Sequence, residues 1–309
     1  MLEGAEKRGA DALIFDLEDG VASSAKPEAR ELVAAYLAKA AYLAKAADLT
    51  TAADLATAAD LTKAADLATE VREQAPIWVR VNPRSAVGDE ELLLDLGAAV
   101  HPRATGVVYP KAELLGDLEE LDRQLSRLEA ARQLPAGSVA VVPLIESAAG
   151  LEEMRTLARA PRVTRIQIGE RDLMADLGIQ VSDDEIELLP WRSLVVAVSR
   201  AVRIEPPVGS AEPAIDDLER LRASTMRLRR LGFSGRTVIH PSQIPVVRDI
   251  FRPSEGELAE ARELLARYDA ARARGGAVTR DGQGKMVDEA VARAARRLLA
   301  ESGDWSRPG

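Results

Sequence analysis

Short, largely apolar runs recur along this chain, most of them leading into a polar residue and separated from the next by a stretch of helical character. Residues 12–15 lead into Asp16, 77–79 into Arg80, 106–109 into Pro110 and Lys111, and 139–142 into Pro143 and Glu146. Residues 165–168 lead into Gly169, 237–239 into His240, and a weaker run lies near 204–208. Helical segments fall at 113–133, 151–160 and 215–231. Strands that are apolar throughout, not at every second position, are buried on both faces. Their alternation with helices gives βα units and a parallel sheet. Residues capable of chemistry end nearly every run, which predicts the C-terminal mouth of a (β/α)8 TIM barrel. No glycine-rich phosphate fingerprint follows the first run, which argues against a doubly wound nucleotide-binding sheet.

Residues 34–69 depart from this pattern as six tandem hexads of the form Ala-Ala-x-Leu-x-x, with Leu at 37, 43, 49, 55, 61 and 67. Alanine favours helix. A six-residue step carries successive leucines round the axis by thirds, so the expected helix has no single apolar face. The tract reads as a helical insert without a chemical role. After Pro253, Ser254 and Glu255 start a helix by N-cap logic, running to about Arg274. A turn-rich stretch and a final helix to about Ala300 follow. The expected organisation is a barrel over 1–252 and a helical lid over 253–309, an appendage without a core of its own.

Composition narrows the function classes. A net charge of −9 opposes non-specific nucleic-acid binding, which needs a basic face. With no cysteine, disulfides, thiolate metal sites and a cysteine nucleophile are excluded, and a reducing cytoplasm is the default location. No apolar run approaches the ~20 residues that span a bilayer, and the start of the chain has no signal-peptide core.

Glu146 and Asp172 are the foremost candidates. Oxygen ligands with no His or Cys nearby suit Mg²⁺, with Mn²⁺ as an alternative, and Mg²⁺ is held through one or two carboxylates plus substrate and water. Helix capping accounts for either acid equally well. Arg80 offers a planar fork to a substrate carboxylate; a structural salt bridge to the acids at 16, 18 and 19 is the other reading. Asp16, Glu18 and Asp19 crowd one turn and must meet cations or donors. Lys26 and Arg30 follow at helical spacing, either drawing an anionic tail to the rim or solvated. His240 is a general base, a donor or a structural histidine; His101 belongs to a polar loop.

Taken in order, several segments resemble the citrate lyase β-subunit-like family of the HpcH/HpaI aldolase/citrate lyase superfamily. These are Gly9–Asp11 through Leu17-Glu18-Asp19-Gly20-Val21, then Val79-Arg80-Val81-Asn82, Pro110-Lys111-Ala112-Glu113 and Leu144-Ile145-Glu146-Ser147. Gly169-Glu170-Arg171-Asp172-Leu173, Ile239-His240-Pro241-Ser242-Gln243 and Gly284-Lys285-Met286-Val287-Asp288 complete the series. The resemblance implies Mg²⁺ on Glu146 and Asp172, and a substrate carboxylate on Arg80 beside Asp16, Glu18 and Asp19. It implies an acyl-CoA site lined by Ile239 and His240, and Asp288 delivered by the lid of a neighbouring subunit as general acid/base. A homotrimer or larger assembly is expected. The activity implied is carbon–carbon cleavage of a hydroxyacyl-CoA such as malyl-CoA or citramalyl-CoA, or hydrolysis of its thioester. The alternatives are a 2-keto-acid aldolase on substrates without CoA and a catalytically impaired scaffold subunit. The family's first strand, of the type Arg-x-x-Leu-x-Val-Pro-Gly, has no counterpart here, so seven strands are expected.

Overall fold

The computed structural model describes residues 8–50 and 75–301 of the 309. They fall into two compact units, Met1–Ile244 and Pro245–Gly309.

The first unit is an α/β fold around seven parallel strands, β1 (Leu13–Asp16), β2 (Ile77–Arg80), β3 (Ala104–Tyr109), β4 (Ala140–Ile145), β5 (Gln167–Ile168), β6 (Val208–Gly209) and β7 (Gly235–Arg236). They lie in sequence order from β1 to β7. That order never reverses, as in a TIM-barrel-like sheet, whereas a doubly wound sheet reverses at its switch point. The crossovers are α1 (Lys26–Thr50), α2 (Arg84–Ala99), α3 (Leu115–Ala131), α4 (Ala148–Leu157), α5 (Glu170–Leu177), α6 (Leu189–Val202) and α7 (Leu218–Leu231).

Central strands behave as continuously apolar strands should. Five of six residues are buried in both β3 and β4. Among the described residues β1 pairs only with β2, and Ile14 is accordingly 41% exposed. Among the same residues no helix is long and apolar enough to cross a membrane.

Two sequence expectations need correction here. The run at 237–239 is not strand: pairing stops at Arg236, because the next free N–H groups, those of Ile239 and His240, turn to the Gln243 side chain. The hexad tract begins inside α1, and there it does have a docking face. Val33, Leu37 and Ala40 are buried at i, i+4, i+7, and Tyr36 meets Phe15 edge-on at 4.9 Å between centroids. Residues 51–69 of the tract lie outside the described residues.

The second unit follows α8 (Gln243–Phe251), which straddles the division, and contains α9 (Glu255–Ala273), the hairpin β8 (Thr279–Arg280) and β9 (Met286–Val287), and α10 (Glu289–Glu301). Ser254 and Glu257 form a reciprocal capping box on α9, the start signal read in the sequence. Contrary to the expectation of an appendage without a core, Leu258, Leu265, Tyr268, Val287, Ala292 and Leu299 pack into an apolar cluster of its own. Helix α10 returns along α9, which lets a short segment bury both helix stripes.

Candidate active site

Strand alternation explains which side chains converge. Ile14 pairs with Trp78 and Asp16 with Arg80, while Arg80 pairs with Val108 and Val108 with Val142. Paired residues of parallel strands share a face, as do residues two apart on one strand. Trp78, Val108, Val142 and Leu144 therefore form one apolar patch. At the C-terminal end of the same face the apolar residues give way to Asp16, Arg80 and, two positions beyond Leu144, Glu146.

Arg80 is gripped from two sides. Its Nε and Nη2 donate to the two oxygens of Asp16 at 2.7 and 2.5 Å, and Nη1 lies 3.0 Å from Glu18 Oε2. The salt bridge anticipated as the bland reading of Arg80 is thus present, at the mouth of the sheet. Burial works against the Arg80 charge, but the Asp16 bonds, the charges of Asp16 and Glu18 and that of Glu146 outweigh it and raise its pKa. Asp16 also accepts the N–H groups of Glu18 and Gly20, both at 2.9 Å. Burial would raise its carboxyl, yet Arg80 and these two donors hold it below the usual range. Only glycine fits at position 20, where a Cβ would stand 2.3 Å from Asp16 Oδ2.

Lys111, which sequence reasoning placed at a strand end without assigning it a role, joins the two halves of the cluster. Its Nζ donates to Glu18 Oε1 at 2.6 Å and approaches Asp19 Oδ2 at 3.4 Å. Its backbone N–H donates to Glu146 Oε1 at 2.7 Å. To aim that N–H the residue takes φ 49°, a left-handed conformation of a kind that costs a non-glycine residue ~1 kcal/mol or more. The available signal was position: Lys111 follows β3 just as Glu146 follows β4.

Glu146 is 5% exposed. Burial pushes its carboxyl up to about 7; the Lys111 N–H opposes this, and the charges of Asp172 and Glu18 add to it. The Glu18 Oε2 atom is itself buried, paired with Arg80 Nη1 by charge but with no aligned hydrogen bond. Gly169 is forced by the same crowding, since a Cβ there would lie 2.4 Å from Glu146 Oε2. Asp172 sits exposed in the first turn of α5, takes no hydrogen bond among the described residues, and is near enough for its charge to bear on Glu146. Neither acid makes a capping bond: Ser147 caps α4, accepting the Gly150 N–H at 3.1 Å, and no side chain caps α5, although Asp172 stands in its first turn, where the helix dipole favours an acid.

The remaining candidates make no hydrogen bond or ion pair with this cluster among the described residues. Ile239 is 57% exposed and His240 is exposed, its Nδ1 2.7 Å from Ser242 Oγ. Both are held by Gln243, whose fully buried amide accepts their N–H groups and donates to Glu212 O at 2.9 Å. Asp288 lies in the second unit as the cap of α10, accepting the Val291 N–H at 3.0 Å. Lys26 donates to Asn82 Oδ1. Arg30 is neither rim nor solvated: it is buried against Asp95 and Glu91, tying α1 to α2. His101 takes the Arg103 N–H, and burial with the nearby Arg132 lowers its pKa.

The chain is similar to known proteins in sequence and in fold. The family model for HpcH/HpaI aldolase/citrate lyase matches residues 1–52 and 51–241. A citrate lyase subunit beta-like protein of Deinococcus radiodurans is 32% identical over 294 residues, 94% of this chain and 88% of that protein. A (3S)-malyl-CoA thioesterase of Cereibacter sphaeroides is 28% identical, covering 97% of this chain and 90% of its own length. Among solved structures, CitE of Mycobacterium tuberculosis in complex with magnesium, acetoacetate and coenzyme A superposes with a TM-score of 0.67. It is 28% identical and covers 96% of this chain and 94% of that one.

Proposed function

The chain belongs to the HpcH/HpaI aldolase/citrate lyase family, and from that premise we propose that it is a Mg²⁺-dependent carbon–carbon lyase acting on a hydroxyacyl-CoA of the malyl-CoA or citramalyl-CoA kind. One observation carries the reading: the Glu146 carboxylate is buried at the mouth of the sheet with one N–H donor among the described residues, and burial first, then the charges of Asp172 and Glu18, raise its carboxyl to about 7. Such a site asks for a cation. The donors are all oxygen and few, which suits Mg²⁺. Glu146 and Asp172 would hold the ion, and when bound it supplies Lewis-acid polarisation of a substrate oxygen.

The chain's own groups do the rest. Asp16 and Glu18 engage all three guanidinium nitrogens of Arg80 and fix its plane, so a substrate carboxylate would be bound through the N–H groups they leave over, without reorganisation of the fork. Lys111 holds Glu18 and, through its N–H, the rotamer of Glu146. Ile239 and His240 line the acyl-CoA. In cleavage Asp288, arriving from the lid of a neighbouring subunit in a trimer or larger assembly, would take the substrate hydroxyl proton as general base; the carbon–carbon bond breaks, its electron pair passes to the acetyl-CoA enolate, and Asp288 gives the same proton to the terminal carbon as general acid. In this reading the seven strands belong to a (β/α)8-type barrel that lacks its first strand among the described residues, and the protein works in the cytoplasm. Hydrolysis of the thioester is the second reading, favoured by the malyl-CoA thioesterase relative.

Purified protein with malyl-CoA and Mg²⁺ is expected to release acetyl-CoA by the first reading and free CoA with malate by the second, and EDTA is expected to stop either. No turnover, together with no Mg²⁺-dependent binding of glyoxylate or oxaloacetate, overturns both. Mixing Asp288→Ala with Arg80→Ala subunits is expected to recover part of the activity; absence of recovery removes Asp288 from the neighbour's site.

A further inference from the structure

Asp172 has no hydrogen bond of its own among the described residues, so no partner side chain holds its carboxylate and the placement of α5 sets what it can reach. The backbone that starts α5 is tied down tightly. Gly169 N–H donates to Ile145 O at 2.8 Å, Glu170 N–H to Ser210 Oγ at 3.0 Å, and Ser210 Oγ to Ile168 O at 2.5 Å. The Glu170 side chain then turns away from the mouth to Arg192 of α6. Arg192 is 2% exposed; its Nε and Nη2 meet the two Glu170 oxygens at 2.6 and 2.9 Å, and its Nη1 meets Glu185 Oε2 at 2.6 Å. Glu185 is held in turn by Ser224 Oγ at 3.1 Å and Arg227 Nη1 at 3.3 Å. Glu185 stands at φ 58°, a conformation such a residue adopts only when its surroundings impose it.

We infer that Arg192 is a positioning residue for the metal pair: its buried fork on Glu170 fixes the first turn of α5 so that Asp172 is presented to Glu146. The inference rests on the reading of Glu146 and Asp172 as metal ligands. A buried ion pair is a poor means of adding stability, because desolvation consumes most of the attraction and apolar side chains of like volume would serve as well. What two parallel N–H···O bonds supply is orientation. Glu170 and Asp172 share one helical turn, so a rotation of Glu170 is a displacement of Asp172. Groups that orient ligands from behind commonly change metal affinity 10–100-fold.

The test is Mg²⁺ binding by calorimetry, with Mn²⁺ paramagnetic resonance as a second readout, on wild type, Arg192→Lys and Glu170→Gln of the full chain. Lysine keeps the charge and loses the fork. Arg192→Lys is expected to fold and to bind Mg²⁺ about 10–100-fold more weakly, with a broadened Mn²⁺ spectrum. Glu170→Gln, which leaves the Arg192–Glu185 pair in place, is expected to move affinity the same way by less. A purely structural role would lower the melting temperature and leave Mg²⁺ affinity at the wild-type value; that result in a folded variant overturns the inference. Should Arg192→Lys not fold, Glu170→Gln decides alone by the same criterion. If wild type itself binds no Mg²⁺ and Asp172→Asn changes nothing, the metal reading has failed, and the role of Arg192 fails with it.

Discussion

At the N-terminal end of β4 the Glu129 carboxylate accepts the N–H groups of Gly137 and Val139, both at 2.9 Å, and a forked guanidinium from Arg162 at 2.6 and 2.9 Å. At the C-terminal end the Glu146 carboxylate accepts one N–H and faces acids. Both side chains are nearly inaccessible, yet burial has opposite outcomes. It would raise Glu129, but Arg162 and the two N–H groups outweigh it and hold the carboxyl down at about 2. It does raise Glu146, to about 7. Arg162 further binds Asp122, Ser126 Oγ at 2.8 Å and Val139 O at 3.2 Å, stitching α3 to the start of β4. One end of the strand is satisfied and holds the fold together. The other has one hydrogen-bond donor among the described residues, and the charges of Lys111 and Arg80 beside it do not outweigh its burial, a condition that clusters at functional sites.

The comparison breaks first, if it breaks, at Glu146. Glu146→Gln is expected to lower turnover about 10³-fold or more, the several kcal/mol a Lewis acid contributes. The same change is expected to stabilise the metal-free protein at pH 8. A carboxyl raised from 4.5 to about 7 penalises the folded state above pH 7 and not below pH 4.5; relieving it is worth at most about 3 kcal/mol. Thermal unfolding in EDTA at pH 8 and pH 5 measures this. A variant less stable than wild type at pH 8 would mean that Glu146 is satisfied after all.

Glu129→Ala is the converse experiment. It strands Arg162 and two N–H groups and is expected to cost about 3–5 kcal/mol in denaturant unfolding, with turnover per folded molecule unchanged. In wild type the Glu129 contribution is present above pH 4.5 and is lost as pH falls from there through about 2. Altered turnover in folded Glu129→Ala would break the division between the two ends. The smallest effect is on metal affinity. A proton competes for Glu146, so Mg²⁺ affinity is expected to fall up to about tenfold per pH unit below pH 7 and to level off above it. Calorimetry between pH 5.5 and 8.5 measures it, and an affinity independent of pH would remove Glu146 from the ligand set.

Much of this arrangement was legible in the chain. Apolar runs gave the central strands because β3 and β4 are buried on both faces, and their polar end residues marked the mouth. Arg80 was read with its partners, since three acids crowded at 16–19 leave few other cations for them. Legibility failed where a side chain replaced the backbone as partner. Residues 237–239 are as apolar as any strand, but Gln243 takes the N–H groups that would have extended the ladder. It failed again at Arg30, whose partners Glu91 and Asp95 lie a whole crossover away, and in the second unit, where α9 and α10 bury each other's stripes.

By itself, then, the sequence determined the alternation of strand and helix, the residues at each strand end, and the family to which their order points. Those depend on local periodicity and on residue type, which a linear reading contains. Only the tertiary structure decided how each charge is balanced. Glu129 and Glu146 are the same residue type beside the same strand, and what separates them is the number of donors brought from distant parts of the chain. Arg162 folds onto one as a forked donor; the other has one N–H, from Lys111, among the described residues, and the nearby charges of Lys111 and Arg80 do not offset its burial and the acids beside it.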